Sequence, residues 1–398
     1  MSIRLTAGAV ALTSCVLLTA CQSQNGDEDA NNNKILETKH INKLIPGRVA
    51  ERMSWATDVR AIMDELKIER NLVNSCSIIA VADQESNFVA DPVVPGLGKK
   101  AAKEMNERLT KKLGAKMAGY FDDMLQKYPS PDDNFMKRLE AVRTERELDQ
   151  LYREMFEFYT KKYNVSLLAG AARIIARQDL AEAFNPVRTL GSMQVNILYA
   201  SENRRDGGGI NKLRDDLYTQ YGGLYYGIHR LMVYPAQYDK AIYRFADYNS
   251  GMYSSRNASV QKAVAKLSGE KLALDGDLLA YDKDGDVLSD TTRTETLLKQ
   301  IFAEHGVAVS DGQIRQDLRK EKELDFEETD TYQQVKRLYQ EQVKQDLPYA
   351  IMPEVVISGP KLSRDYNTNW FASRVNQRYT RCINAGKRMG FKISSAAS

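Results

Sequence analysis

Apolar residues recur at the three- and four-residue spacing of an α-helix along most of the chain. Val59, Ile62 and Met63 form one such face, and residues 73–82 form a more continuously apolar stretch. A segment that is apolar on all sides predicts a helix buried in a core rather than one at the surface. Glu85 follows this stretch closely. The pattern therefore predicts an acidic side chain at the end of a buried helix.

A long charged region from about 98 to 186 keeps the helical spacing and is interrupted by Pro129-Ser130-Pro131. Because proline ends helices, we expect a helical hairpin inserted into the domain. Its apolar stripe is expected to pack into the core, and a surface for an envelope protein partner is the alternative. Further helices are predicted at 222–233, at 237–247 and from Asn257, a favoured N-cap residue.

After Gly269 the pattern changes. Residues 278–281 and 287–288 flank a turn at Lys283-Asp284-Gly285 and predict a β-hairpin, followed by a helix with a capping box from Thr292 to Glu295. The acidic turn also suggests a calcium loop, but the glycine and twelfth-ligand positions of that motif do not match. Residues 348–360 read as extended, before a terminal helix. We expect a mainly α fold with a C-terminal α+β extension.

The first residues predict export. Arg4 precedes an apolar run at 5–20, which is typical of a secretory signal peptide and too short for a permanent membrane span. The run ends in Leu18-Thr19-Ala20-Cys21, which resembles a bacterial lipobox with Cys21 as the acylated residue. The residues that follow Cys21 resemble those of lipoproteins kept on the periplasmic face of the outer membrane. An ordinary secreted protein with a chance cysteine is the alternative.

Cleavage of the predicted signal peptide would remove Cys15, and Cys21 would carry the lipid. Cys76 and Cys382 then remain. In an oxidising compartment these two are expected to form a disulfide, and two buried thiols are the alternative. The balance of 56 basic and 53 acidic residues gives a net charge of +3, which does not argue for nucleic acid.

The histidines give no indication of a metal site. His40, His229 and His305 lack ligand spacing, so neither zinc nor any other cofactor is expected.

Three short segments carry the candidate chemistry: Gln84-Glu85-Ser86-Asn87-Phe88, Gly191-Ser192-Met193-Gln194, and Ala246-Asp247-Tyr248-Asn249-Ser250-Gly251. In this order they resemble the E-S-x-F, G-L-M-Q and A-Y-N-x-G segments of the lysozyme-like superfamily, specifically its soluble lytic transglycosylases and goose-type lysozymes. The wider combination, with the lipobox, is similar to an uncharacterised family of Gram-negative lipoproteins.

The transglycosylase resemblance implies that Glu85 is the catalytic acid, while Ser86, Met193, Gln194, Tyr248 and Asn249 contact the sugar or position the carboxyl. The substrate would be the bond between N-acetylmuramic acid (MurNAc) and N-acetylglucosamine (GlcNAc) in peptidoglycan, and the product a 1,6-anhydro sugar. Such cleavage needs a carboxylic acid protonated near neutral pH, a state that apolar surroundings favour. One carboxylate suffices where the sugar's acetamido group assists.

The segments also depart from that pattern. Ser192 replaces the leucine of G-L-M-Q, Asp247 replaces the alanine before Y-N, and the insertion separates the first two segments. Asp247 adds a second carboxylate, so hydrolysis by a lysozyme mechanism stays open. A catalytically inactive protein that binds or scaffolds peptidoglycan is the other alternative.

We therefore divide the chain into four regions. Residues 1–20 form the signal peptide and 21–46 the lipid anchor and flexible spacer. Residues 47–270 form the lysozyme-like domain, with the insertion, and 271–398 form an extension packed on it.

Overall fold

The computed structural model describes residues 35–162, 185–282, 285–357 and 366–393. Helices make up most of this part of the chain, which confirms the prediction of a mainly α fold. Its strands form two short antiparallel ladders. Strand β1 (Thr189–Leu190) pairs with β2 (Val195–Asn196), and β3 (Val356–Ile357) pairs with β4 (Tyr366–Asn367).

The N-terminal part of the core consists of helices α1 (Thr38–Leu44), α2 (Arg52–Glu65) and α3 (Leu72–Glu85). The prediction that residues 21–46 form a flexible spacer is wrong for residues 35–46. Leu36 and Ile41 are fully buried there, because apolar residues resume at Ile35 after the polar stretch and supply a face that packs into the core.

Four helices occupy the first part of the predicted insertion: α4 (Leu97–Leu113), α5 (Ala115–Lys127), α6 (Phe135–Ala141) and α7 (Glu145–Lys162). The prediction of a simple hairpin is wrong because the helical stretch on each side of the prolines is divided once more. Gly114, with φ of +83°, separates α4 from α5, and a short loop after Ala141 separates α6 from α7. Residues 163–184 of this region lie outside the described residues.

The middle of the chain forms five helices: α8 (Ile197–Glu202), α9 (Ile210–Leu217), α10 (Gln220–Met232), α11 (Ala241–Ser250) and α12 (Ser254–Ser268). Asn257 is not the N-cap that its residue type suggests. Helix α12 begins three residues earlier, and the buried Asn257 amide donates to the carbonyl oxygens of Gly276 (3.1 Å) and Glu321 (3.0 Å).

The C-terminal part contains α13 (Arg293–Glu304), α14 (Asp311–Leu318), a 3-10 helix (Leu324–Glu328), α15 (Asp330–Val343) and α16 (Thr368–Arg388). Thr292 caps α13 by accepting from the Glu295 amide at 3.1 Å, which is one of the two hydrogen bonds of the predicted capping box. The Glu295 carboxylate pairs with Arg315 and Lys299. The predicted hairpin is reduced to one antiparallel bridge between Tyr281 and Val287, and Lys283 and Asp284 of its turn lie outside the described residues.

The buried apolar side chains form two clusters. The second contains residues from α12 to α15, whereas the first extends from Leu36 to Tyr248 and also takes in α16. Helix α16 packs along α3 and α11. A Cβ added at Gly386 would lie 2.2 Å from a methyl carbon of Leu72, so the glycine permits this close approach. The last helix therefore covers the helix that ends at Glu85.

A disulfide joins the same two helices. Cys76 of α3 is bonded to Cys382 of α16, with Cα atoms 5.5 Å apart and a sequence separation of 306 residues, which confirms the predicted pairing. Closing so long a loop stabilises the folded state by about 5 kcal/mol in the chain-entropy model.

Candidate functional site

Glu85 is the last residue of α3 and is half-buried. The next residues turn the chain sharply, since Asn87 (φ of +53°) and Phe88 (φ of +60°) both adopt the left-handed conformation that L-residues rarely take. Phe88 is buried, with its ring edge-on to that of Trp55 and the centroids 5.3 Å apart. Packing of this aromatic pair holds the strained turn directly after the carboxylate.

The second segment forms the turn between β1 and β2. Gly191 has a φ of +76°, and a Cβ there would lie 2.2 Å from the Leu217 carbonyl oxygen, so only glycine fits. Gln194 also has a positive φ, of +51°. Met193 is fully buried, and a Cβ at Gly227 of α10 would lie 2.4 Å from its Cβ and Sδ atoms. The turn is therefore pressed closely against α10.

Tyr248 connects the third segment to the other two. It lies near the end of α11, and its hydroxyl donates to the Met193 carbonyl oxygen at 2.7 Å. Burial raises the pKa of Tyr248, and the negative charge of Glu85 raises it further. That coupling requires the Glu85 carboxylate to lie near the phenol. The structure thus brings Glu85, Met193 and Tyr248 together, and Asn249 is half-buried in the same last turn of α11.

The Gln194 side chain contacts the predicted insertion. Its Nε2 atom donates to Oε2 of Glu145 at 3.0 Å, and its Oε1 atom accepts from the Thr189 hydroxyl at 3.2 Å. Glu145 is buried at the start of α7. Sequence reasoning missed this residue, because it lies in a run of charged residues that looks like an exposed helical face.

The Ser86 and Met193 side chains are both engaged in structural contacts. The Ser86 hydroxyl is buried, lies 3.5 Å from the Ala82 carbonyl oxygen and accepts from the Val89 amide at 3.3 Å, so it closes the end of α3. The Met193 side chain fills the space above Gly227. Both side chains belong to the packing that holds the turns in place.

Asp247 is fully buried and does not face an opening. Five donors lie at its carboxylate: the hydroxyls of Tyr234 (3.1 Å), Tyr238 (2.6 Å) and Ser254 (3.0 Å), and the amides of Tyr253 (3.0 Å) and Ser255 (2.8 Å). It therefore caps the start of α12. Because both of its oxygens are already engaged, this arrangement disfavours the alternative in which Asp247 activates a water molecule.

Arg230 and Tyr199 extend the group around Tyr248. The Arg230 guanidinium donates to the Tyr248 carbonyl oxygen at 3.2 Å and lies 5.5 Å from the centre of its ring. Burial raises the pKa of Tyr199 to about 12, and its hydroxyl lies 2.7 Å from Nδ1 of His229. The sequence could have pointed to Arg230 as a site residue. It lies three residues after Gly227 and therefore on the face of α10 that meets Met193.

Residues 48–385 match a protein family described as "protein of unknown function (DUF1615)". The chain belongs to this family. It is also 34% identical over 383 residues to the uncharacterised protein YaiW of Escherichia coli strain K12, covering 94% of this chain and 97% of the relative. No solved structure matches the chain. The expected similarity to an uncharacterised family is confirmed.

In this DUF1615 member, the described ranges contain no group of three or more His, Cys, Asp or Glu side chains placed to hold a metal ion. Within the same ranges no helix is long and apolar enough to cross a membrane. The predicted signal peptide and Cys21 lie outside the described residues.

Proposed function

We propose that the chain is a lytic transglycosylase that cleaves the bond between MurNAc and GlcNAc in peptidoglycan and leaves a 1,6-anhydro-MurNAc end. The observation that supports this most is the hydrogen bond from the Tyr248 hydroxyl to the backbone of the Gly191-Ser192-Met193-Gln194 turn, at a phenol whose pKa the charge of Glu85 raises. All three segments of the transglycosylase resemblance meet there. The lipobox resemblance adds attachment to the outer membrane through acylated Cys21.

Glu85 would act twice in this reaction. As an acid it gives its proton to the glycosidic oxygen while the bond from C1 of MurNAc to that oxygen breaks. As a base it then takes the proton of the C6 hydroxyl while the C6 oxygen bonds to C1. The acetamido group stabilises C1 between the two steps, so neither a second carboxylate nor water is consumed.

The backbone around the site favours a function beyond packing. Asn87 and Phe88 follow the carboxylate, and Gln194 ends the turn that Tyr248 contacts; all three have positive φ. Such conformations cost on the order of 1–3 kcal/mol each and cluster at functional sites, where the surrounding structure holds them. Asp247 is already engaged by five donors, so a mechanism with Glu85 alone is preferred to hydrolysis with Asp247 as base.

Digestion of purified sacculi, with mass spectrometry of the released fragments, tests the proposal. The full chain is expected to release anhydromuropeptides. Glu85→Gln should lower the rate at least about 100-fold, because general acid catalysis contributes at least that much. Glu65→Gln is the matched control, since Glu65 is likewise the last residue of its helix, α2, and is exposed. It should keep the activity.

Other products would overturn the proposal in distinct ways. Fragments with reducing ends would identify a hydrolase. If the wild-type chain binds sacculi but releases nothing, the catalytically inactive peptidoglycan-binding protein is the correct alternative. Circular dichroism of each variant separates loss of chemistry from loss of folding.

A further inference from the structure

A basic cavity lies on another part of α3, between that helix, α16 and the loop that joins α1 to α2. Its volume is about 290 Å³. Five cationic side chains line it: Lys43, Arg48, Arg52, Arg378 and Arg381. The remaining wall includes the apolar side chains of Leu44, Ile45 and Ile79. We call this the basic cavity.

Asp83 is the single acidic residue among those that line the basic cavity. It is buried and pairs with two of the cations, Arg48 and Arg378, the second through an Nε–Oδ2 contact of 3.0 Å. Lys43, Arg52 and Arg381 form no ion pair with any residue that the structure describes. Five positive charges against one negative charge leave the cavity with a net charge of +4.

The cations are close enough to repel one another. Burial lowers the pKa of Arg378, and the charges of Arg381 and Arg374 lower it further, against the opposing effect of Asp83. Arg374, Arg378 and Arg381 are spaced four and three residues apart, so they lie along one face of α16. Folding thus gathers like charges at a concave surface, and a bound anion would offset this repulsion.

We propose that the basic cavity binds a phosphate-bearing ligand. Guanidinium groups present pairs of donors that match phosphate oxygens, and the excess of four charges suits a multiply charged group better than a single carboxylate. The volume exceeds that of one phosphate, and the wall at Leu44 and Ile79 would contact an uncharged part of the ligand. A phospholipid headgroup and a soluble phosphate compound share this chemistry.

This site is separate from the proposed catalytic one. Asp83 and Glu85 are two positions apart on α3 and therefore project from different sides of the helix. Binding of phosphate does not depend on glycan cleavage, and either proposal can fail alone.

Isothermal titration of the full chain at constant ionic strength tests the proposal, with pyrophosphate as the first probe. A triple variant, Lys43→Gln with Arg52→Gln and Arg381→Gln, removes the three unpaired charges and leaves the Asp83 pairs intact. Its Kd for pyrophosphate should rise at least about tenfold, because charge-assisted hydrogen bonds are lost. The control, Lys39→Gln with Lys387→Gln and Arg388→Gln, removes three exposed charges from α1 and α16 outside the cavity and should leave Kd unchanged.

A second variant should change the Kd for pyrophosphate in the opposite direction. Asp83→Asn removes the acidic group and frees Arg48 and Arg378, so the Kd for pyrophosphate should fall several-fold. A short-chain, water-soluble phosphatidic acid is the second probe. If it binds more tightly than pyrophosphate, the phosphate belongs to a lipid headgroup, and the opposite order indicates a soluble compound. Equal Kd values for the triple variant and its control, or tighter binding of citrate than of both phosphates, would overturn the proposal.

Discussion

Gly227→Ala tests whether the close packing of α10 against the Met193 turn supports the candidate site. The added Cβ would lie 2.4 Å from both Cβ and Sδ of Met193. Met193 cannot avoid it by changing rotamer, since its own Cβ is fixed to the backbone. The turn must shift instead, and it carries the carbonyl oxygen that accepts from Tyr248.

Two effects of opposite sign determine the expected stability change. Alanine is better than glycine inside a helix by about 1 kcal/mol. Overpacking in a well-filled core costs about 1–3 kcal/mol. The cost exceeds the gain over most of this range, so Gly227→Ala is expected to destabilise the protein by up to about 2 kcal/mol and to lower any activity of Glu85.

Gly119→Ala is the matched control, because Gly119 is also inside a helix, α5, and nothing lies within 4 Å of the Cβ it would gain. It should stabilise the protein by up to about 1 kcal/mol. Urea denaturation of the two variants beside the wild type measures the difference, expected to be about 1–3 kcal/mol. If both variants are equally stable, the tight contact between Gly227 and Met193 is refuted.

Three further predictions concern stability. Replacing Cys76 and Cys382 by serine should lower the free energy of unfolding by up to about 5 kcal/mol, and an unchanged urea midpoint would contradict the account of the disulfide. Asp247→Asn should cost about 2–4 kcal/mol in the same assay, because an amide cannot accept from five donors; wild-type stability would argue against the capping role. Burial raises the pKa of Glu321 from 4.5 to about 7, so its contribution of about 3 kcal/mol is present below pH 4.5 and is lost as the pH rises through 7. The melting temperature of the wild type should therefore fall relative to Glu321→Gln between pH 5 and pH 8, and parallel profiles would disprove this assignment.

The helices around the candidate site were predictable because their apolar spacing is regular. The end of α3 at Glu85 follows from the apolar stretch before it, and the Cys76–Cys382 bond follows from the expected compartment. The small helix α1 was missed because a spacer composition at 22–33 was extended over apolar residues that belong to the core. Local composition does not show where the spacer ends and the core begins.

The roles of individual site residues were harder to predict, since they depend on partners distant in sequence. From its residue type Asp247 is a possible second catalytic carboxylate, and the sequence does not show the five donors that surround it. Glu145 and Gln194 are 49 positions apart in sequence, and no sequence pattern predicts their contact. Residue type alone does not show that the Ser86 hydroxyl closes the end of α3.

The contact of α16 with α3 affects how the chain matures. Synthesis proceeds from the N-terminus, so the helix that carries Glu85 lacks its covering partner until Thr368–Arg388 has been made. A nascent chain can assemble neither the full environment of Glu85 nor the basic cavity, because both use α3 and the cavity also uses α16. Chains that end before Thr368 would therefore lack the helix that completes the first apolar cluster.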